Sequence, residues 1–265
     1  MCDVFGMPRP RKRHVQQEMR YPDKNGQWRG GKRAGAGRPA AKGRRPSERH
    51  KRRPVLKAGE AVHVVLRPVR EVGNLRRWHA YRALRAALLT TVTHEGFRIV
   101  HLSIQRTHIH LIIEATSRLV LARGMQGFQV SAARKLNAAI GAHTGRPRRG
   151  TVFADRYHAR IIRAPIEARR ALAYVLNNWR KHDEHEDQHL RGWSVDLFSS
   201  APSFDGWSDV DRRAIVLPRD YEPLLVSRPT TWLLRDGWRQ HGLISSTHVP
   251  SETEKPDTHA RVLAE

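Results

Sequence analysis

The stretch Thr107-His108-Ile109-His110-Leu111-Ile112-Ile113-Glu114 sets imidazoles and aliphatic side chains side by side. In an extended chain, alternate residues face the same side of a sheet. His108 and His110 therefore project together, while Ile109, Leu111 and Ile113 face a core. Two imidazoles on one exposed sheet face form half of a metal site. The same pair also reads as two surface histidines without a ligand, in a chain that carries 16 of them.

Outward from that strand the pattern becomes a fold. Phe97–Ile104 is a second strand-like run, joined to the first by Gln105-Arg106-Thr107. Upstream, Ala61-Val62-His63-Val64-Val65-Leu66-Arg67 is a run of mostly β-branched residues and predicts a strand. Between them residues 74–95 repeat Leu75, Trp78, Leu84, Ala87, Leu88 and Val92 at helical spacing, and Gly96 stops the helix. Downstream, a helix is expected over about residues 118–140, broken or bent near Gly124 and Gly127. A fourth strand is expected over Val152–Arg163 and a third helix over residues 166–181. The order β-α-β-β-α-β-α predicts an α+β fold, a ferredoxin-like antiparallel sheet with helices on one face plus one added helix.

On that added helix, Tyr174 and Asn178 stand four apart and share a face. Together they could supply a nucleophile and an amide oxygen ligand; alone, Tyr174 reads as a half-buried core aromatic. Tyr157 is the competing tyrosine, but no amide follows it at helical spacing, so packing or base stacking is its expected role. Arg156, Arg160 and Arg163 on the same predicted strand are expected phosphate contacts.

Charge narrows the partner. The net charge is +24, and such an excess of cations points to a polyanion, usually nucleic acid. Residues 1–57 carry +14 and residues 58–182 carry +16, whereas residues 183–265 carry −6. The first segment lacks apolar periodicity and reads as a disordered basic arm. Its Gly37-Arg38-Pro39, with Arg44 and Arg45 following, resembles the AT-hook, an extended peptide that lies in a narrow minor groove. Residues 58–182 are the expected catalytic domain, residues 183–247 an extension packing back through Trp193, Phe198, Phe204 and Trp207, and residues 248–265 a disordered tail. Residues 228–238 read as a short amphipathic helix. Cys2 is the single cysteine, which excludes an intrachain disulfide or a thiolate zinc cluster. No secretory signal or membrane span is legible, so a cytoplasmic, nucleoid-associated setting is expected.

The His-x-His strand followed by Tyr174-Val175-x-x-Asn178 resembles the single-tyrosine HUH transposases, those of the smallest insertion sequences and the REP-associated tyrosine transposases. The resemblance runs from about Ala61 to Ser200. It includes His63-Val64-Val65-Leu66-Arg67, the run Phe153, Arg156-Tyr157-His158 and Ile162-Arg163, and Gly192-Trp193-Ser194 with Phe198-Ser199-Ser200. Two positions depart from the family pattern: Gln105-Arg106-Thr107 replaces Met-Pro-Asn, and Trp179 replaces the proline after the helix asparagine, which would let the helix run longer.

The resemblance implies Tyr174 as nucleophile, His108, His110 and Asn178 as ligands of a divalent metal (Mg2+ or Mn2+), and single-stranded or hairpin DNA as partner, with a homodimer left open. It implies cleavage and rejoining through a 5′-phosphotyrosine. A non-catalytic DNA-binding protein on the same fold is the alternative. An RNA-recognition module would need stacking aromatics where this strand has histidines and aliphatics. Residues 58–182 hold six acids and no convincing carboxylate triad, which disfavours a three-acid nuclease.

Overall fold

The computed structural model describes residues 55–57, 59–153, 155–181 and 192–250, together with the backbone of residues 21–22 and 28–29. The chain divides into two units, residues 1–46 and 47–265. In the first unit, β1 (Tyr21–Pro22) pairs antiparallel with β2 (Trp28–Arg29).

The second unit is built on four strands, β3 (Ala61–Leu66), β4 (Phe97–Ile104), β5 (Ile109–Ala115) and β6 (His158–Ile162). They lie in the order β4-β5-β3-β6, every neighbouring pair antiparallel. Two helices, α1 (Trp78–Val92) and α2 (Arg118–Thr144), connect these strands, and α3 (Pro165–Lys181) follows the last of them. This is the ferredoxin-like arrangement that the order of elements predicts.

Strand alternation sorts the core into two layers. Val62, Val64, Leu66, Ile109, Leu111 and Ile113 join α1 and α2 in one buried cluster. Ala61, Ile112 and Ile162 join α3 and the C-terminal segment in a second. Helices thus cover both faces of the sheet, and the face carrying His110 is closed by α3. His110 is buried rather than exposed, as an added helix with an apolar face must make it.

Three local differences from the sequence pattern have physical causes. The helix α2 is continuous through Gly124 and Gly127. At Gly124 a Cβ would lie 2.3 Å from Cγ of Phe97, so the glycine admits that ring against the helix instead of breaking it. The fourth strand is shorter than Val152–Arg163: the Val152 carbonyl accepts from Val69 N–H, and the Glu167 carboxylate accepts from Arg163 N–H, so both ends are bonded elsewhere. The last helix does run past Trp179, to Lys181.

The C-terminal segment wraps the sheet. Ile104 N–H donates to the Phe198 carbonyl and Ser200 N–H to that of Leu102, while Ser227 N–H donates to Ile99. Those bonds satisfy the outer edge of β4, which would otherwise present unpaired amides. Trp193 is partly buried, and Phe198, Phe204 and Trp207 are buried. The amphipathic stretch is a single turn, α4 (Trp232–Arg235), followed by a 3-10 turn over Gly237–His241. Residues 251–265 lie outside the described part.

Candidate active site

The site forms where β5 and β3 meet the inner face of α3. His110 lies opposite Val65 in the ladder and beside His63, one pleat along on the same face of β3. The His63 Nε2 and His110 Nδ1 atoms are 3.1 Å apart, and the rings stack at a centroid distance of 5.2 Å. His108, just before β5, turns its ring edge-on to His110 at 4.6 Å. From α3, the Tyr174 ring meets His110 edge-on at 5.3 Å and His63 at 6.1 Å. Residues far apart in the chain (His63, the His108/His110 pair and Tyr174) thus form one cluster.

The helix that presents Tyr174 is held on all sides. Its first turn is capped by Glu167, which accepts from the N–H groups of Arg163 and Ala164. Its far side is bonded to the C-terminal segment: Asn177 Nδ2 donates to the Ser245 carbonyl, and Arg180 Nε to that of Ser246. Arg169 reaches the carbonyls of Gly242 and Leu243. The tyrosine is thereby fixed by a rigid support rather than by a loop.

Two residues not singled out in the sequence belong here. Burial, and then the positive charges of Arg160 and His108, push the His63 imidazole down to about 3, so it is neutral. Its signal in the sequence was a lone polar residue inside an otherwise apolar strand. Lys181 sets its ammonium 5.9 Å from the Tyr174 ring centroid. It stands seven residues after Tyr174, on the same helical stripe as Asn178.

Asn178 is fully buried, and neither Oδ1 nor Nδ2 has a hydrogen-bond partner among the described residues. A buried amide left in that state is costly and calls for a ligand. Among the described residues no three His, Cys, Asp or Glu side chains group as a metal site. A cation at the two imidazoles would therefore need a ligand of another type, and an amide oxygen is one.

The remaining predicted contacts are dispersed. Arg160 lies in β6, across from His63, with an Nη atom 3.7 Å from Glu167. Arg156 and Arg163 flank that strand, and Arg163 pairs with Glu60 at 2.9 Å. Tyr157 is buried in the cluster on the α1/α2 face, away from the histidines. Arg38, Arg44 and Arg45 lie outside the described residues.

Residues 58–178 match the protein family described as Transposase IS200 like. The match covers the segment that carries His63, His108, His110, Tyr174 and Asn178. Among solved structures, the chain is similar to a REP-associated tyrosine transposase bound to a REP hairpin. That match has 18% identity and a TM-score of 0.38, covering 51% of this chain and 74% of the other. A presumed transposase of Deinococcus radiodurans R1 is similar at 17% identity and a TM-score of 0.33, over 54% of this chain and 98% of the other. No curated protein matches the chain. Among the described residues no helix is long and apolar enough to cross a membrane.

Proposed function

We propose that the transposase domain cleaves and rejoins single-stranded DNA with Tyr174 as nucleophile, at hairpin-forming sequences. The observation that carries this reading is the meeting of His110 with His108, His63 and Tyr174, the tyrosine standing one turn of α3 before Asn178, whose buried amide has no partner among the described residues. His108, His110 and the Asn178 Oδ1 would hold a divalent cation, Mg2+ or Mn2+. When bound, that cation supplies charge stabilisation at the scissile phosphate.

The chain's own groups do the rest. The Tyr174 oxygen forms a bond to phosphorus as the bond from phosphorus to the 3′-oxygen breaks. The tyrosine proton passes to solvent, and the 3′-oxygen leaves as a hydroxyl. The product is a 5′-phosphotyrosine, and attack by the 3′-hydroxyl of another strand reverses the step, so neither ATP nor water is consumed. The Lys181 ammonium near the ring favours the developing phenolate and adds a cation where the DNA phosphates must lie. Packing of α3 against the sheet excludes water from the inner side of the tyrosine, where these charges act at shorter effective range. The basic arm, residues 1–57, adds sequence-independent affinity through counterion release.

The test is a denaturant-resistant protein–DNA adduct, formed on a hairpin oligonucleotide with Mn2+. Tyr174→Phe is expected to abolish the adduct and Tyr157→Phe to retain it. An adduct that survives Tyr174→Phe overturns the assignment; a folded wild-type protein that binds the oligonucleotide but never forms one favours the non-catalytic reading.

A further inference from the structure

Strand β4 brings two polar side chains to the face that carries the histidines. In the β4–β5 ladder Ser103 lies directly opposite His110, and Ile104 opposite Ile109. The ladder extends one step further, because Gln105 N–H donates to the His108 carbonyl at 2.9 Å. Gln105 therefore stands directly opposite His108, across the turn formed by Arg106 and Thr107. Residues opposite one another in an antiparallel pair point to the same face, with their Cβ atoms about 5 Å apart. Ile104 and Ile109 enter the core on the α1/α2 side, so alternation turns Ser103, Gln105, His108 and His110 to the α3 side.

Three observations set Gln105 apart from an ordinary turn residue. It is 1% exposed, although glutamine is mostly a surface residue. Its Nε2 donates to the Ser103 hydroxyl at 2.8 Å, whereas its Oε1 has no hydrogen-bond partner among the described residues. A buried carbonyl left in that state is destabilising and calls for a ligand. Finally, the backbone is pinned on either side of it. The Ile104 carbonyl accepts from Arg76 Nη1 at 2.9 Å, and the Arg106 carbonyl accepts from Leu75 N–H at 3.1 Å. The pinned turn keeps the amide beside His108.

We propose that Gln105 is a further ligand of the divalent cation, its Oε1 adding a second amide oxygen to the set formed by His108, His110 and Asn178. The proposal rests on the metal-site reading given under the proposed function. Two imidazoles and one amide favour zinc-like ions, since imidazole nitrogens suit those metals and carbonyl oxygens suit magnesium and manganese. A second carbonyl balances nitrogen with oxygen and shifts the site toward the harder cations. Gln105 thereby sets which metal the site prefers. Ser103 is its positioning residue: the hydroxyl holds the nitrogen end of the amide, which leaves the oxygen end for the cation.

The experiment is calorimetric titration of the metal-free full chain with Mn2+ and, separately, with Zn2+. Gln105→Met, similar in length but without an oxygen, is expected to lose about 10-fold or more in Mn2+ affinity. It is expected to keep most of its Zn2+ affinity, because both imidazoles remain. Gln105→Glu keeps an oxygen in the same place and can accept from the Ser103 hydroxyl. It is expected to bind Mn2+ at least as tightly as the wild type. A role confined to packing would lower the affinities for both metals together and would not be rescued by glutamate. Wild-type Mn2+ affinity in Gln105→Met overturns the assignment, as do equal losses for the two metals or a loss of Mn2+ binding in Gln105→Glu. A wild type that binds Mn2+ yet forms no tyrosine adduct counts against cleavage at Tyr174, while the ratio of Mn2+ to Zn2+ affinities still decides the role of Gln105.

Discussion

The Nε2 atom of His63 lies 3.1 Å from Nδ1 of His110, joining two buried imidazoles on adjacent strands. One nitrogen of the pair must donate and the other accept. With His63 neutral, Nδ1–H of His110 donating to His63 leaves the lone pair of His110 on Nε2 as the ligating atom. A partner that fixes the tautomer of a ligating histidine commonly contributes 10- to 100-fold in metal affinity. His63→Ala is therefore expected to weaken Mn2+ binding by about 10- to 100-fold in calorimetry. In the metal-free protein, nitrogen NMR should report His110 as the Nδ1–H form in the wild type and as a mixture in the variant. Equal Mn2+ affinity and an unchanged tautomer would remove His63 from this role.

What the sequence made legible was local. The bounds of β4 match the strand-like run Phe97–Ile104, and the helix carrying Tyr174 matches the helical stretch expected there to within a residue. What escaped it were contacts between residues far apart in the chain. The close approach that Gly124 allows depends on the Phe97 ring, which no helical pattern can encode. The anchoring of the C-terminal segment depends on a buried Arg76–Asp196 pair at 2.9 Å, whose members are 120 residues apart. Asn178 was visible by spacing, but its buried, unbonded amide emerges only once α3 lies on the sheet.

The Glu114 carboxylate is a second anchor of the same kind. It is buried at the end of β5 and accepts from the N–H and hydroxyl groups of both Thr230 and Thr231, at 2.7 to 3.1 Å. Charge-assisted bonds of this sort contribute about 1.5–3 kcal/mol each, and less when several share one group. Glu114→Ala is expected to cost about 3 kcal/mol or more in urea unfolding. Residues 228–241 should become the first site of limited proteolysis. A variant with wild-type stability and an uncut C-terminal segment would show that the latch is not an anchor.

His101 gives the fold an acid sensitivity. Its Nδ1 is 3.0 Å from the Ser200 hydroxyl, and its ring meets Phe204 edge-on. Burial pushes the imidazole down to about 4, against the opposing pull of Asp205 and Glu114. Because the folded-state value lies below the unfolded one, the unfolded chain binds the proton first as pH falls. Stability is full above about 6.5 and declines toward about 4, by about 1.4 kcal/mol per pH unit from this group. Between pH 6.5 and 5 the wild type should therefore lose about 2 kcal/mol more than His101→Gln. Parallel pH profiles for the two proteins would show that His101 carries no such linkage.

Gly124 and Gly127 occupy one helix, yet alanine at each should act in opposite directions. At Gly124 the new methyl group would sit 2.3 Å from the Phe97 ring, and that ring is buried between α2 and the sheet. Overpacking of this kind costs about 1–3 kcal/mol. At Gly127 the methyl group enters open space, so the gain in helix propensity is unopposed, about 1 kcal/mol. Urea unfolding of the two single variants checks both signs. A Gly127→Ala variant that loses stability would mean that Gly127, too, has a packing role.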